Sequence, residues 1–183
     1  MIKIKNKFLI GNTKDNKDNK LIALDVDGTI CKDSKYNTCF DLFIENKYLL
    51  SSLTKYSLLK ECIIVFITNQ SGLSRNHFQL SDYKNYIKKV MLFLQLNYSI
   101  KVREVFLCPH QPIDKCKCRK PSGEMLNSAI KKYNIKNSSV IMVGDKEIDK
   151  YEMLNATNNK GKFINAVKDF NLENLFYKKW NHS

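Results

Sequence analysis

The chain of 183 residues is long enough for one ordinary domain, and its 43% apolar and 27% charged residues are globular rather than disordered proportions. No segment approaches the roughly 18–20 consecutive apolar residues that span a bilayer, and residues 1–10 alternate Lys and Ile without the apolar core of a secretory signal, so a cytoplasmic protein with no membrane partner is expected. The net charge of +13 raises nucleic acid as a partner, yet only Arg75, Arg103 and Arg119 of the 31 basic residues are arginine, the side chain suited to bidentate phosphate contacts, and the excess reads better as a compositional bias toward Lys, Asn and Ile.

Residues 2–10 are expected to add an edge strand or to be mobile, and 11–20 (GNTKDNKDNK) read as a loop or linker. This divides the chain into an extension, 1–20, and a domain, 21–183. Four short apolar runs follow, 21–24, 63–67, 105–107 and 140–143, each ending in polar or Gly-containing residues. Runs of this length, rich in Ile and Val and without polar alternation, suit strands buried on both faces; a further strand is expected near 162–166. Between them, Tyr48, Leu49, Leu53, Tyr56 and Leu59 share one helical face, and Tyr83, Ile87, Val90, Met91 and Leu94 share another, with Ser81 as N-cap. Met125, Ile130 and Tyr133 form a third, weaker set. Strands alternating with helices imply right-handed crossovers and a parallel sheet, whose ligands sit beyond the carboxyl ends of the strands. Phe40, Phe43 and Tyr48 read as packing residues, as do Phe176, Tyr177 and Trp180 in the tail that carries His182; His77 reads as an exposed loop histidine.

Three of those strand ends carry polar clusters: Asp25-Val26-Asp27-Gly28-Thr29, Thr68-Asn69-Gln70-Ser71-Gly72 and Gly144-Asp145-Lys146. In the first, two carboxylates two residues apart project to the same side of an extended chain while Val26 packs away. Gly28 permits the turn and the approach of backbone N–H groups to an anion. A carboxylate can attack phosphorus to form an aspartyl-phosphate, and a second carboxylate can protonate the leaving alkoxide and then deprotonate water.

The fourth run ends in Cys108-Pro-His110, five residues, then Cys116-Lys-Cys118. Four soft or borderline donors in two tight pairs suit a closed, tetrahedral, structural Zn²⁺ in a reducing compartment. Such an ion would staple the loop that carries Arg119 and Lys120. Cys62 opens an apolar run as a buried free thiol.

The run Asp25-Val26-Asp27-Gly28-Thr29 resembles the first motif of the haloacid dehalogenase-like phosphohydrolases, and the later motifs follow in order between about Leu21 and Ala166. The resemblance implies an α/β, Rossmann-like three-layer sandwich with a mainly parallel sheet and no large cap domain, since the gaps between motifs are too short for one. It implies Asp25 as nucleophile, Asp27 as acid and base, and Thr68, Asn69, Gln70 and Lys120 around the phosphoryl group. Arg119 and Lys146 are implied substrate contacts. Mg²⁺ would be held by Asp25, the carbonyl of Asp27 and Asp145. Asp149 is left open between orienting a metal-bound water and lying solvated at a helix N-terminus.

The zinc loop is similar to those of the D-glycero-D-manno-heptose bisphosphate phosphatases and the histidinol-phosphate phosphatases. The stretch 68–75 looks closer to the former, the five-residue gap before Cys116 to the latter. Two departures stand out: Val26 replaces a common Arg, and Ser122-Gly123-Glu124 replaces a Pro-Gly pair before Met125. The expected reaction is Mg²⁺-dependent hydrolysis of a small phosphorylated metabolite by a monomer, with heptose 1,7-bisphosphate the first choice of substrate and removal of its 7-phosphate the expected step. The alternatives are histidinol phosphate, a polynucleotide 3′-phosphate, and phosphate binding without turnover.

Overall fold

The computed structural model describes residues 1–7, 20–59 and 62–167, with 56–59 described by backbone alone. Most of the expected linker and the tail residues Phe176, Tyr177, Trp180 and His182 lie outside the described residues, as do the side chains of Tyr56 and Leu59. Along the chain run β1 (Ile2–Lys5), β2 (Lys20–Leu24), α1 (Lys47–Leu59), β3 (Cys62–Asn69), α2 (Leu80–Tyr98), β4 (Val102–Cys108), α3 (Glu124–Lys132), β5 (Val140–Gly144), α4 (Glu147–Thr157) and β6 (Lys162–Asn165). The strands form one sheet in the order β1-β4-β3-β2-β5-β6, parallel except for β1, which runs antiparallel along β4.

The apolar runs form buried strands because helices cover both faces of the sheet. In β2, Ile22 and Leu24 face α1 and α2, packing in one cluster with Leu49, Leu53, Tyr83 and Ile87, while Leu21 and Ala23 face α3 and α4, beside Met125, Ala129 and Met153. Period-two alternation thus survives as a choice between two apolar layers rather than between core and water. Ile4 of β1 is buried in the first of these layers, so the core begins before Leu21. Neither the connection that holds α1 nor the one that holds α2 carries an inserted domain among the described residues, which leaves the carboxyl ends of the strands uncapped.

Two expectations fail locally. Tyr48 is 85% exposed, because it sits in the first turn of α1 with Leu49 and Leu50 turned inward in its place. Phe40 and Phe43 do pack, in a cluster with Phe93. The N-cap of α2 is Gln79 and not Ser81: the Gln79 N–H donates to Asp82 Oδ2 at 3.2 Å, a reciprocal box that starts the helix one residue before Ser81.

Candidate active site

The site assembles where β2, β3 and β5 end. Asp25 leaves β2 with its N–H still bonded to Val143 O of β5 at 2.9 Å, which holds its side chain at the sheet edge. Val26 is fully buried, so the two acids flanking it project outward. The N–H groups of Thr29 and Ile30 fold back onto Val26 O at 3.3 and 3.1 Å, closing a tight turn. Gly28 has φ +87°, and a Cβ there would lie 2.4 Å from Asp145 Oδ2, so only glycine allows both this backbone and the approach of Asp145.

At the centre, Lys120 Nζ donates to Asp25 Oδ1 at 2.5 Å, to Asp149 Oδ1 at 2.6 Å and to Ile67 O at 3.1 Å. All three charged side chains are buried. Two carboxylates therefore share one ammonium out of water. Burial raises the Asp25 carboxyl from its ordinary 3.8 to about 7; Lys120 opposes the rise and Asp149 adds to it. Burial alone would drag the Lys120 ammonium down, but Asp25 and Asp149 outweigh it and hold the group above the usual lysine range. Asp149 is thus neither solvated nor free: it sits in the first turn of α4, buried, and also accepts the Lys146 N–H at 3.1 Å.

The end of β3 supplies a neutral network. Gln70 Nε2 donates to Asp27 Oδ2 at 2.6 Å and to Thr68 Oγ1 at 3.0 Å. The Asp27 carboxyl is raised by burial, with the Gln70 bond opposing. Asn69 clasps the backbone of Lys120, accepting its N–H at 3.1 Å and donating to its carbonyl at 3.4 Å. Gln70 and Asn69 therefore hold protein groups, whereas Thr68 keeps its own proton available. Lys146, half-exposed, reaches Asp33 at 3.2 Å and Asp145 at 3.6 Å.

Asp25, Asp145 and Asp149 each offer an oxygen within 4.8 Å of the others. Because Asp149 is engaged by Lys120, the free pair is Asp25 Oδ2 and Asp145 Oδ1, each 3.4 Å from Thr29 Oγ1. Convergent carboxylate oxygens of this kind suit a hard divalent cation such as Mg²⁺.

Cys108, His110, Cys116 and Cys118 form the second cluster. Sγ–Sγ separations are 3.5 Å (Cys108–Cys116) and 3.8 Å (Cys116–Cys118), and His110 Nδ1 lies 3.6 and 3.4 Å from Cys108 and Cys118. A tetrahedral ion with bonds of about 2.3 Å to sulfur and about 2.0–2.1 Å to nitrogen has S–S edges of about 3.8 Å and S–N edges of about 3.5 Å. The side chains present fit such an ion. Arg119 Nη1 donates to His110 O at 2.8 Å, and the Gln70 N–H donates to Cys108 O at 2.7 Å, which ties this loop to the end of β3 that carries Thr68.

Sequence reasoning missed the stripe of α4 that holds the same loop from its other side. Asp149, Glu152 and Asn155 recur every three residues. Glu152, fully buried, accepts the N–H groups of Gly123 at 2.7 Å and Leu126 at 3.2 Å, and Asn155 Nδ2 donates to Pro121 O at 2.6 Å. The signal was present: three polar residues at helical spacing just after the fourth motif.

Comparison with known proteins agrees with this geometry. The family described as polynucleotide kinase 3 phosphatase matches residues 20–175. The D-glycero-beta-D-manno-heptose-1,7-bisphosphate 7-phosphatase of Helicobacter pylori is 32% identical over 140 residues, covering 75% of this chain and 79% of the relative. Among solved structures, a HAD-like phosphatase from Mesorhizobium loti superposes with a TM-score of 0.72 at 25% identity, over 81% of this chain and 73% of its own. The D,D-heptose 1,7-bisphosphate phosphatase of B. bronchiseptica, solved with magnesium and phosphate, gives 0.67 at 31% identity, over 78% and 77%. An uncapped parallel sheet with an acid pair, a lysine and a further acid at its carboxyl edge defines a phosphoryl-transfer enzyme. The chain belongs to the haloacid dehalogenase-like phosphatases.

Proposed function

We propose that the protein removes one phosphate from D-glycero-D-manno-heptose 1,7-bisphosphate, the 7-phosphate, through an aspartyl-phosphate on Asp25. The observation that carries the reaction is the buried Asp25–Lys120–Asp149 contact, which presents a carboxylate beside a cation at the open edge of the sheet. The names of the relatives support the substrate.

An oxygen of Asp25 attacks phosphorus while the bond to the sugar oxygen breaks. Asp27, whose raised carboxyl favours the protonated form, gives its proton to the leaving alkoxide. Asp27 then takes a proton from water, which attacks the aspartyl-phosphate, releases inorganic phosphate and regenerates Asp25. Lys120 and the Thr68 hydroxyl neutralise and bind the equatorial oxygens, where charge is spread in the transition state. Asp25, Asp145 and the Asp27 carbonyl would hold Mg²⁺, which supplies positive charge between nucleophile and phosphate when bound. Cys108, His110, Cys116 and Cys118 would hold a structural Zn²⁺. Arg119, braced by its bond to His110 O, and Lys146 meet the remainder of the substrate. The catalytic domain takes in β1 as well as the residues from Lys20 onward, and the enzyme acts as a cytoplasmic monomer. Among the described residues, no helix is long and apolar enough to cross a membrane.

The test is phosphate release with Mg²⁺ from a panel of heptose 1,7-bisphosphate, histidinol phosphate and a 3′-phosphorylated oligonucleotide. The heptose ester is expected to give the highest kcat/KM. A higher value for histidinol phosphate, or for the oligonucleotide with a steep loss on adding salt, overturns the substrate. Phosphate binding without turnover of any of the three overturns the reaction.

A further inference from the structure

Tyr83 lies in the first turns of α2, directly beneath the site. Its ring is locked in the core, stacked on Phe78 at 5.9 Å between centroids and tilted against Tyr86 at 6.1 Å. The residue is 1% exposed, and its hydroxyl makes no hydrogen bond of ordinary geometry although it interacts with the neighbouring Thr68 hydroxyl. Asp27 and Thr68 are its polar neighbours at the edge of the site. Burial, followed by the charge of Asp27, keeps the phenol well above the usual tyrosine range, so it carries its proton at any working pH. A buried hydroxyl left without a well-formed bond is destabilising, and a phenylalanine would fill the same space without that penalty.

We propose that Tyr83 is a positioning residue for Thr68, its buried phenol donating to Thr68 Oγ1 as the phosphoryl group binds. Thr68 Oγ1 already accepts one bond from Gln70 Nε2, whose second hydrogen is engaged by Asp27. A hydroxyl oxygen has two acceptor sites and one proton. With Gln70 on one acceptor site and Tyr83 on the other, the Thr68 proton can point only outward, toward the phosphoryl oxygen beside Asp25. Preorganising that donor removes a rotational search from the transition state. The inference rests on the phosphatase reading above and adds a residue to it.

The test is Tyr83→Phe in the full-length protein, assayed with Mg²⁺ and an aryl phosphate beside the unmodified chain, with thermal unfolding of both. The expected result is a roughly three- to tenfold fall in kcat, the rate equivalent of one neutral hydrogen bond, with little change in KM. The unfolding midpoint is expected to stay level or rise, because the poorly bonded hydroxyl is gone. A merely structural tyrosine would lower activity and midpoint together, and that result overturns the assignment, as does an unchanged kcat. An unmodified chain that releases no phosphate refutes the phosphatase reading itself, and this inference with it.

Discussion

Replacing Asp25 by Asn is expected to abolish turnover and also to make the metal-free protein more stable above neutral pH. In the folded chain burial raises the Asp25 carboxyl from 3.8 to about 7, with Lys120 opposing the rise and the second buried carboxylate, Asp149, adding to it. Below about pH 4 the acid is protonated in both the folded and the unfolded chain and adds no difference. As pH rises from there to about 7 the unfolded chain gives up its proton more readily, so folding stability is lost; above 7 the loss is complete and constant. A gap of this size is equivalent to about 4 kcal/mol. The Asn amide, still buried, retains a desolvation cost of about 1–2 kcal/mol at every pH, which leaves a net gain of about 2–3 kcal/mol at pH 8 and a net loss of about 1 kcal/mol at pH 4. Lys120 then forms a balanced one-to-one pair with Asp149. The assay is urea unfolding of both proteins in EDTA at pH 4, 6 and 8, where titrating groups remote from Asp25 cancel in the difference. Saturating Mg²⁺ should shrink the gap, since a cation bound to the folded state stabilises the Asp25 protein selectively. A difference independent of pH, or an Asn variant less stable than its parent at pH 8, refutes the electrostatic reasoning.

Two further outcomes test the loop that carries Lys120 from opposite sides. Cys116→Ser is expected to reduce bound zinc, measured by elemental analysis of the purified protein, and to lower the unfolding midpoint by several degrees; unchanged metal content contradicts the cluster. Glu152→Ala strands the buried N–H groups of Gly123 and Leu126, for a loss of about 2–4 kcal/mol in urea unfolding, and lowers kcat because the cation loop slackens; a stable variant with full activity would show that α4 does not hold the loop.

The strands and the placement of the candidate site residues were legible because each rests on local pattern. Runs of Ile and Val too short for helices could only be two-sided buried strands, and Asp25, Asp27, Thr68 and Asp145 follow those runs directly. The Cys and His spacing likewise specifies a tetrahedral donor set within one loop. Where local rules compete, the reading failed. Tyr48 had the spacing of a packed residue, but Leu50 sits deeper. Ser81 had the chemistry of a cap, but Gln79 and Asp82 closed the box first.

What the chain order could not contain is which polar groups meet across the sheet. Asp149 and Lys120 are separated by 29 residues and Asp25 and Lys120 by 95, yet they make one buried cluster. Glu152, Asn155 and Tyr83 carry no motif; each acquires its role only because a helix packs against a particular loop or strand end. Residue type and spacing determine which reactions are available to this protein. Burial and distance, which exist only once the helices have docked, decide which acid is held near neutrality, which lysine is tethered and which hydroxyl is left without a well-formed bond.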